Sequence, residues 1–174
     1  MELQETILKR RSIRKFKEDK VKEEDVNLIL QMAMAGPSAC NKKPWEFFVV
    51  TNEEILNKFA NVSKSSSFKA PLAIVVCGNE ERMLEGEASS YWIQDCSSAT
   101  ENILLCATSL GLGSLWCGVY PQQMKIEKVR EILDLPNNII PLNIIYIGYS
   151  DMDSEARSQY EENYVHHIKE RKYL

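Results

Sequence analysis

The chain has 174 residues and a formal net charge of −4 at pH 7, with 44% hydrophobic and 26% charged residues. These values are typical of a soluble globular protein, and we expect one domain over residues 1–174. The acidic balance argues against nucleic-acid binding through a broad basic face, and no apolar run approaches the length of a membrane span. Because the N-terminus lacks the apolar core of a signal peptide, we expect a cytoplasmic protein.

Several kinds of chemistry are disfavoured by the residues present. The five cysteines are widely spaced without a C-x-x-C pair, so we expect reduced thiols rather than disulfides. The only histidines, His166 and His167, are adjacent and cannot by themselves form a spaced metal-ligand set, so we expect no metal site. The chain also lacks a P-loop and a G-x-S-x-G nucleophile elbow. An enzyme with this sequence would rely on a bound organic cofactor.

A basic cluster follows the first predicted helix, which spans residues 2–11. Arg10, Arg11, Ser12 and Arg14 place three guanidiniums and a hydroxyl within five residues. In a helix Arg10 and Arg14 would stack at i and i+4, whereas in an extended chain Arg10, Ser12 and Arg14 would share one side. Arginine donates paired charge-assisted hydrogen bonds to phosphate. The cluster therefore predicts either a site for a small phosphorylated ligand or a solvated basic patch at a helix end.

Hydrophobic patterns and helix-start residues predict four more helices and four strands. The helices are expected at residues 23–35, 51–60, 88–110 and 121–133, and the strands at residues 46–50, 72–77, 114–120 and 139–149. Strands that alternate with helices would by themselves indicate a parallel doubly wound sheet. Small residues keep the long fourth helix slim, which favours a place in the protein centre or across a dimer seam. Its Asp95, Glu101 and Asn102 are expected to fix helix packing rather than to perform chemistry.

A loop bounded by prolines joins the second helix to the first strand, and it contains Pro37, Ser38, Ala39 and Asn41. Small side chains at Ser38 and Ala39 would let a flat ligand approach the backbone, and the Asn41 amide offers both a donor and an acceptor. The alternative is a plain connection between helix and strand whose Trp45 covers the core.

Taken in chain order, several segments resemble the nitroreductase family of FMN-dependent oxidoreductases, and in particular its small single-domain members. Residues 10–14, Arg-Arg-Ser-Ile-Arg, are similar to the family's R-x-S-x-R, whose residues hold the FMN phosphate and ribityl chain. Residues 37–45 resemble its P-S-x-x-N-x-Q-P-W loop, with Lys43 in place of the usual Gln. Asp95 and Asn102 resemble the family's central helix, and residues 111–118 resemble the strand that follows it beside the isoalloxazine ring.

The resemblance implies an α+β fold with three layers, α/β/α, a mixed but largely antiparallel sheet, and an intertwined homodimer with FMN at the interface. Residues 150–174 would form a C-terminal tail that wraps the partner subunit. The FMN-binding residues that it implies are Arg10, Arg11, Ser12, Arg14, Pro37, Ser38, Ala39, Asn41, Trp116, Cys117, Gly118 and Arg157. Arg157 is expected to supply the C-terminal phosphate contact alone, because Glu155 stands near where many members carry a basic residue.

The implied activity is the passage of a hydride from NADH or NADPH through bound FMN to a small oxidant, such as a nitroaromatic or a quinone, by a ping-pong mechanism. No side chain is expected to act as a general acid or base. The alternatives are reductive dehalogenation or another flavin reaction on the same fold, a non-catalytic FMN-binding redox or storage protein, and a nucleic-acid-binding module that uses the basic cluster. A loop that contacts the oxidant is expected at residues 63–69 or 78–90.

Overall fold

A computed structural model describes residues 2–62 and 68–168, which contain five α-helices and four β-strands. The helices are α1 (Leu3–Lys9), α2 (Glu23–Met34), α3 (Glu53–Phe59), α4 (Tyr91–Ser109) and α5 (Gln123–Leu133). The strands are β1 (Trp45–Val50), β2 (Leu72–Asn79), β3 (Gly113–Gly118) and β4 (Ile139–Gly148). Each predicted element is present, and the boundaries differ by at most three residues. None of the helices in these two ranges has both the length and the hydrophobicity of a membrane span.

The four strands form one sheet in the order β1-β2-β4-β3, and each pair of neighbours is antiparallel. The largely antiparallel α+β fold is therefore confirmed, and the parallel doubly wound sheet is wrong for the described strands. Alternation of helices and strands gives only their order along the chain and not the direction of the strands. α3, for example, connects β1 and β2, which are antiparallel neighbours. The parallel pairing among the described residues is an isolated bridge between Ser12 and Ser114.

Helices cover both faces of the sheet, which gives the expected three layers. α2 and α4 pack on the face where Ile74 and Val76 of β2 point. α3 and α5 pack on the other face, where Ala73 and Val75 point. Because successive strand residues point to opposite faces, β2 is buried on both sides, as its unbroken apolar run predicts.

The chain after α1 is extended and lies along β3. α1 ends at Lys9, so the helical alternative for the basic cluster is wrong. The Ile13 N–H donates to the Ser114 carbonyl at 2.9 Å, next to the bridge formed by Ser12. Ser12 and Arg14 consequently flank Ile13, which is buried, and they line one cavity together, whereas Arg10 caps α1.

The chain after β4 runs back along this segment. Ser150 forms an antiparallel bridge to Phe16, and the Arg157 N–H donates to the Leu8 carbonyl at 3.0 Å. Residues 151–168 are exposed, and residues 169–174 of the predicted tail lie outside the described residues. Residues 63–67 of the expected oxidant loop also lie outside them. The other loop expected to contact the oxidant was predicted at residues 78–90. Its predicted start is two residues too early, because residues 78–79 belong to β2.

Candidate functional site

Four arginines gather where the extended segment meets the tail. A cavity of about 370 Å³ is lined by Arg10, Arg11 and Arg157, with Glu101 of α4 at its wall. A second cavity of about 460 Å³ shares Arg11 and Arg157 and adds Ser12 and Arg14. The structure therefore brings Arg157 to the basic cluster, although the two are far apart in sequence. Volumes of this size suit part of a small organic ligand.

The contacts of these arginines leave most of their N–H groups available. Arg10 Nε lies 3.7 Å from Glu101 Oε1, and Arg14 Nη1 donates to the Ser12 carbonyl at 3.3 Å. Arg157 Nη2 donates to Gln159 Oε1 at 3.0 Å. Each guanidinium has five N–H donors, so these contacts do not saturate it. Burial raises the pKa of the Glu101 carboxyl above its ordinary value, while Arg10 acts in the opposite direction. Because their N–H donors are not saturated, the four arginines form an arginine-lined patch that can bind an anion.

The far end of β3 is open. β3 is an edge strand, and beyond the bridge at Ser114 no second strand among the described residues pairs with its outer side. Trp116 and Gly118 are exposed, and Cys117 is half-buried. A Cβ added to Gly118 would meet no atom within 4 Å. A flat ligand could therefore approach the backbone here, so an anion site and an open strand edge fit the phosphate and the ring of FMN.

Lys125 of α5 is a nearby cation that the sequence analysis missed. Its Nζ donates to the Gly118 carbonyl at 3.2 Å. Lys125 and Arg14 both lower the pKa of the Cys117 thiol, but burial is the larger effect and the net shift is upward. No local pattern could have identified Lys125, because the contact depends on how α5 packs at the end of β3.

The loop with Pro37, Ser38, Ala39 and Asn41 lies at a different place along α4. The Ala39 N–H donates to Asp95 Oδ1 at 2.9 Å. None of the three cavities found beside the basic cluster is lined by this loop. Within one chain the structure thus separates the loop from the arginine-lined patch beside β3. Trp116, Cys117 and Gly118 line none of the three cavities either.

Asn102 of α4 donates from Nδ2 to the Met32 carbonyl of α2 at 3.0 Å. This contact between two helices agrees with the expectation that Asn102 fixes helix packing, whereas Asp95 bonds the loop and not another helix. Glu101, which was expected to do the same, instead faces Arg10 at the wall of the arginine-lined cavity.

Comparison with known proteins identifies related chains. Residues 7–71 and 59–149 match the model of the Nitroreductase family. A protein of Methanothermobacter thermautotrophicus, provisionally named NADH dehydrogenase/NAD(P)H nitroreductase, is 41% identical and aligns over 95% of this chain and 86% of its own. The solved structure of an FMN-dependent nitroreductase from Clostridium difficile R20291 is 33% identical, with a TM-score of 0.85 and coverage of 94% and 97%. An iodotyrosine deiodinase of Thermotoga neapolitana is 33% identical over 90% of this chain and 91% of its own.

Proposed function

Because the chain belongs to the nitroreductase family, we propose that it is an FMN-dependent oxidoreductase that passes a hydride from NADH or NADPH to a small oxidant by a ping-pong mechanism. The observation that carries the proposal is the convergence of Arg10, Arg11, Arg14 and Arg157 beside the open edge of β3. The FMN-dependent nitroreductase of similar structure supports the choice of cofactor.

In this proposal the arginines hold the FMN phosphate. A phosphate dianion loses much hydration in a protein site, and it stays bound only where cations replace that hydration. Arg10, Arg14 and Arg157 would donate charge-assisted hydrogen bonds, and the Ser12 hydroxyl would add one more donor. Each such bond contributes about 1.5 to 3 kcal/mol, so two of them supply a large part of the roughly 8 kcal/mol that micromolar binding requires.

The ring would lie against the backbone of residues 116–118, where Gly118 leaves room for it. FMN, when bound, supplies the redox chemistry, since it accepts a hydride from NAD(P)H and later returns two electrons to the oxidant. The protein's part is to orient the ring and to leave one face accessible to each substrate in turn. Lys125 and Arg14 place positive charge near Cys117, where it would stabilise a more electron-rich ring.

The proposal includes a homodimer in which Pro37, Ser38, Ala39 and Asn41 complete the site of the partner subunit. The separation of this loop from the arginine-lined cavities of its own chain supports that arrangement. The exposed apolar side chains of α1 also support it, since a partner would cover them.

Purification and kinetics test the function directly. The isolated protein is expected to be yellow, or to take up added FMN one per chain, and to be reduced by NADH or NADPH in a stopped-flow experiment. With a quinone or a nitroarene as oxidant, double-reciprocal plots at several NAD(P)H concentrations should be parallel. A protein that does not bind FMN would contradict the proposal. FMN binding without turnover would instead favour a redox or storage protein.

Reductive dehalogenation is a second candidate, because the Thermotoga neapolitana deiodinase matches nearly the whole chain. It would be recognised by release of iodide from iodotyrosine with chemically reduced protein. If iodide is released faster than nitroarenes or quinones are reduced, this second candidate replaces the first.

A further inference from the structure

Asp95 is the only charged side chain in the buried class among the described residues, with 7% of its surface exposed. A buried carboxylate is normally offset by a cation, yet within the described ranges Asp95 forms no ion pair. In the described part of the chain, Asp95 Oδ1 accepts a hydrogen bond from the Ala39 N–H at 2.9 Å. The burial of this charge is therefore connected with the loop that carries Ala39.

That loop has an unusual backbone. Cys40, Asn41 and Lys43 have φ values of 50°, 54° and 51°, which is the left-handed region that non-glycine residues seldom adopt. Such a conformation persists only where the surroundings hold it.

The hydrogen bonds inside the loop are local. The Ser38 carbonyl accepts from the Asn41 N–H, and the Ser38 Oγ accepts from the Lys43 N–H, both at 3.0 Å. Over residues 37–43 of the described structure, the contact between Ala39 and Asp95 is the hydrogen bond that ties the loop to another element. Asp95 therefore supplies the hydrogen bond between this strained turn and α4, next to the close packing of Gly36 against Ser98 of the same helix.

α4 also carries Glu101, which faces Arg10 of the arginine-lined patch at 3.7 Å. Asp95 and Glu101 are six residues apart on the same helix, or about 9 Å along its axis. α4 thus contacts both groups of predicted FMN-binding residues. It contacts the loop through Asp95 and the arginine-lined patch through Glu101.

We infer that Asp95 is a positioning residue for the flavin ring: its carboxylate holds the Ala39 N–H so that Ser38, Ala39 and Asn41 present their polar groups to FMN in a fixed arrangement. This inference rests on the proposed function. Asp95 itself does not touch the ring, and it acts through the loop.

Two substitutions separate the hydrogen bond from the charge. Asp95→Asn keeps an oxygen acceptor for Ala39 but removes the charge, whereas Asp95→Ala removes both. The neighbouring Gln94→Ala is the matched control, because Gln94 is exposed on the same helix. We expect Asp95→Ala to weaken FMN binding at least tenfold, and Asp95→Asn to restore affinity to within about threefold of the wild type.

The midpoint potential of the bound flavin at saturating FMN separates positioning from a purely structural role. Asp95→Ala and Asp95→Asn have the same charge, so a difference between their potentials reports the position of the loop and not the charge of Asp95. We expect the potential of Asp95→Ala to be more negative, because displaced loop donors no longer stabilise the reduced ring. Gln94→Ala should match the wild type.

Ala39→Pro tests the same bond from the donor side and serves if Asp95→Ala does not fold. Ser38 has an extended backbone, with φ of −138° and ψ of 148°, which is compatible with a following proline. FMN affinity should again fall at least tenfold. Equal FMN affinities and equal potentials in all these variants, with changes confined to the melting temperature, would overturn the inference. If the wild-type protein itself binds no FMN, the proposed function is wrong and this inference falls with it.

Discussion

Arg157 lies beside Arg10 and Arg11 because its backbone N–H is bonded to the Leu8 carbonyl. Its guanidinium then donates to Gln159, two residues further on. The tail that carries it is exposed, so the position of this cation depends on a few backbone contacts and not on burial.

Substitution of Arg157 by Ala should raise the dissociation constant for FMN about tenfold or more, because one charge-assisted contact to the phosphate is lost. Quenching of flavin fluorescence during titration measures this. Riboflavin, which lacks the phosphate, should bind the variant and the wild type equally. Lys20→Ala, at an exposed position away from the cavities, is the control, and an equal loss of FMN binding there would argue against a specific role for Arg157.

Glu101 gives a pH prediction. Its pKa in the folded protein is raised above the ordinary value of 4.5, mainly by burial. Between these two pKa values the folded state binds more protons than the unfolded state, so stability falls as the pH rises through that window. The free-energy cost of burying the ionised Glu101 carboxylate is absent below the ordinary pKa and complete above the pKa in the folded protein.

Glu101→Gln cannot ionise and avoids this penalty. The melting temperature of the variant relative to the wild type should therefore rise as the pH increases from 4.5 to the raised pKa of Glu101 in the folded protein, and then level off. The effect should be modest because the side chain is about half exposed to solvent. A difference that shrinks as the pH increases would show that the attraction to Arg10 outweighs the burial.

At the scale of elements, β3 and the extended segment before it form one unit. A Cβ added to Gly113 would lie 2.8 Å from Ile13 Cγ1, within the bridge that holds Ser12 against β3. The absence of a side chain at Gly113 is therefore what allows the arginine segment to approach the strand.

Gly113→Ala should reduce the free energy of unfolding by about 1 to 3 kcal/mol, as is usual when a side chain is forced into a packed region. It should also weaken FMN binding, because the segment of residues 10–14 must move. Urea denaturation compares it with Gly118→Ala on the same strand, where a Cβ meets nothing within 4 Å and stability should hardly change. An equal loss of stability in both variants would refute the steric explanation.

At the scale of the whole molecule, α1 presents apolar side chains to solvent. Leu3 and Ile7 are 68% and 50% exposed, and Leu8 is exposed beside them. In the proposed homodimer the partner covers this surface, and removal of its apolar area from water stabilises the dimer.

Replacing Leu3 by Asp should convert the proposed dimer to a monomer and release FMN with it, because Leu3 lies outside the arginine-lined cavities and a charge cannot be buried there without a cation beside it. Light scattering during gel filtration measures the mass. Gln4→Asp, on the same short helix, adds the same charge at a polar position and should remain dimeric. A monomeric wild-type protein, or a Leu3→Asp dimer that keeps its FMN, would contradict the arrangement.

Hydrophobic patterns and helix-start residues were sufficient to predict the five described α-helices and the four strands, since the side chains that face the core repeat at the period of the local backbone. Residue types were sufficient to nominate the basic cluster, because arginine and serine suit phosphate wherever they occur. The strand order, the extended form of residues 10–14, the hydrogen bond from Arg157 to Leu8 and the contact of Lys125 with Gly118 were decided only by the tertiary structure. These features join residues distant in sequence, and the free energy that fixes them comes from packing of whole elements, which no local pattern of residues records.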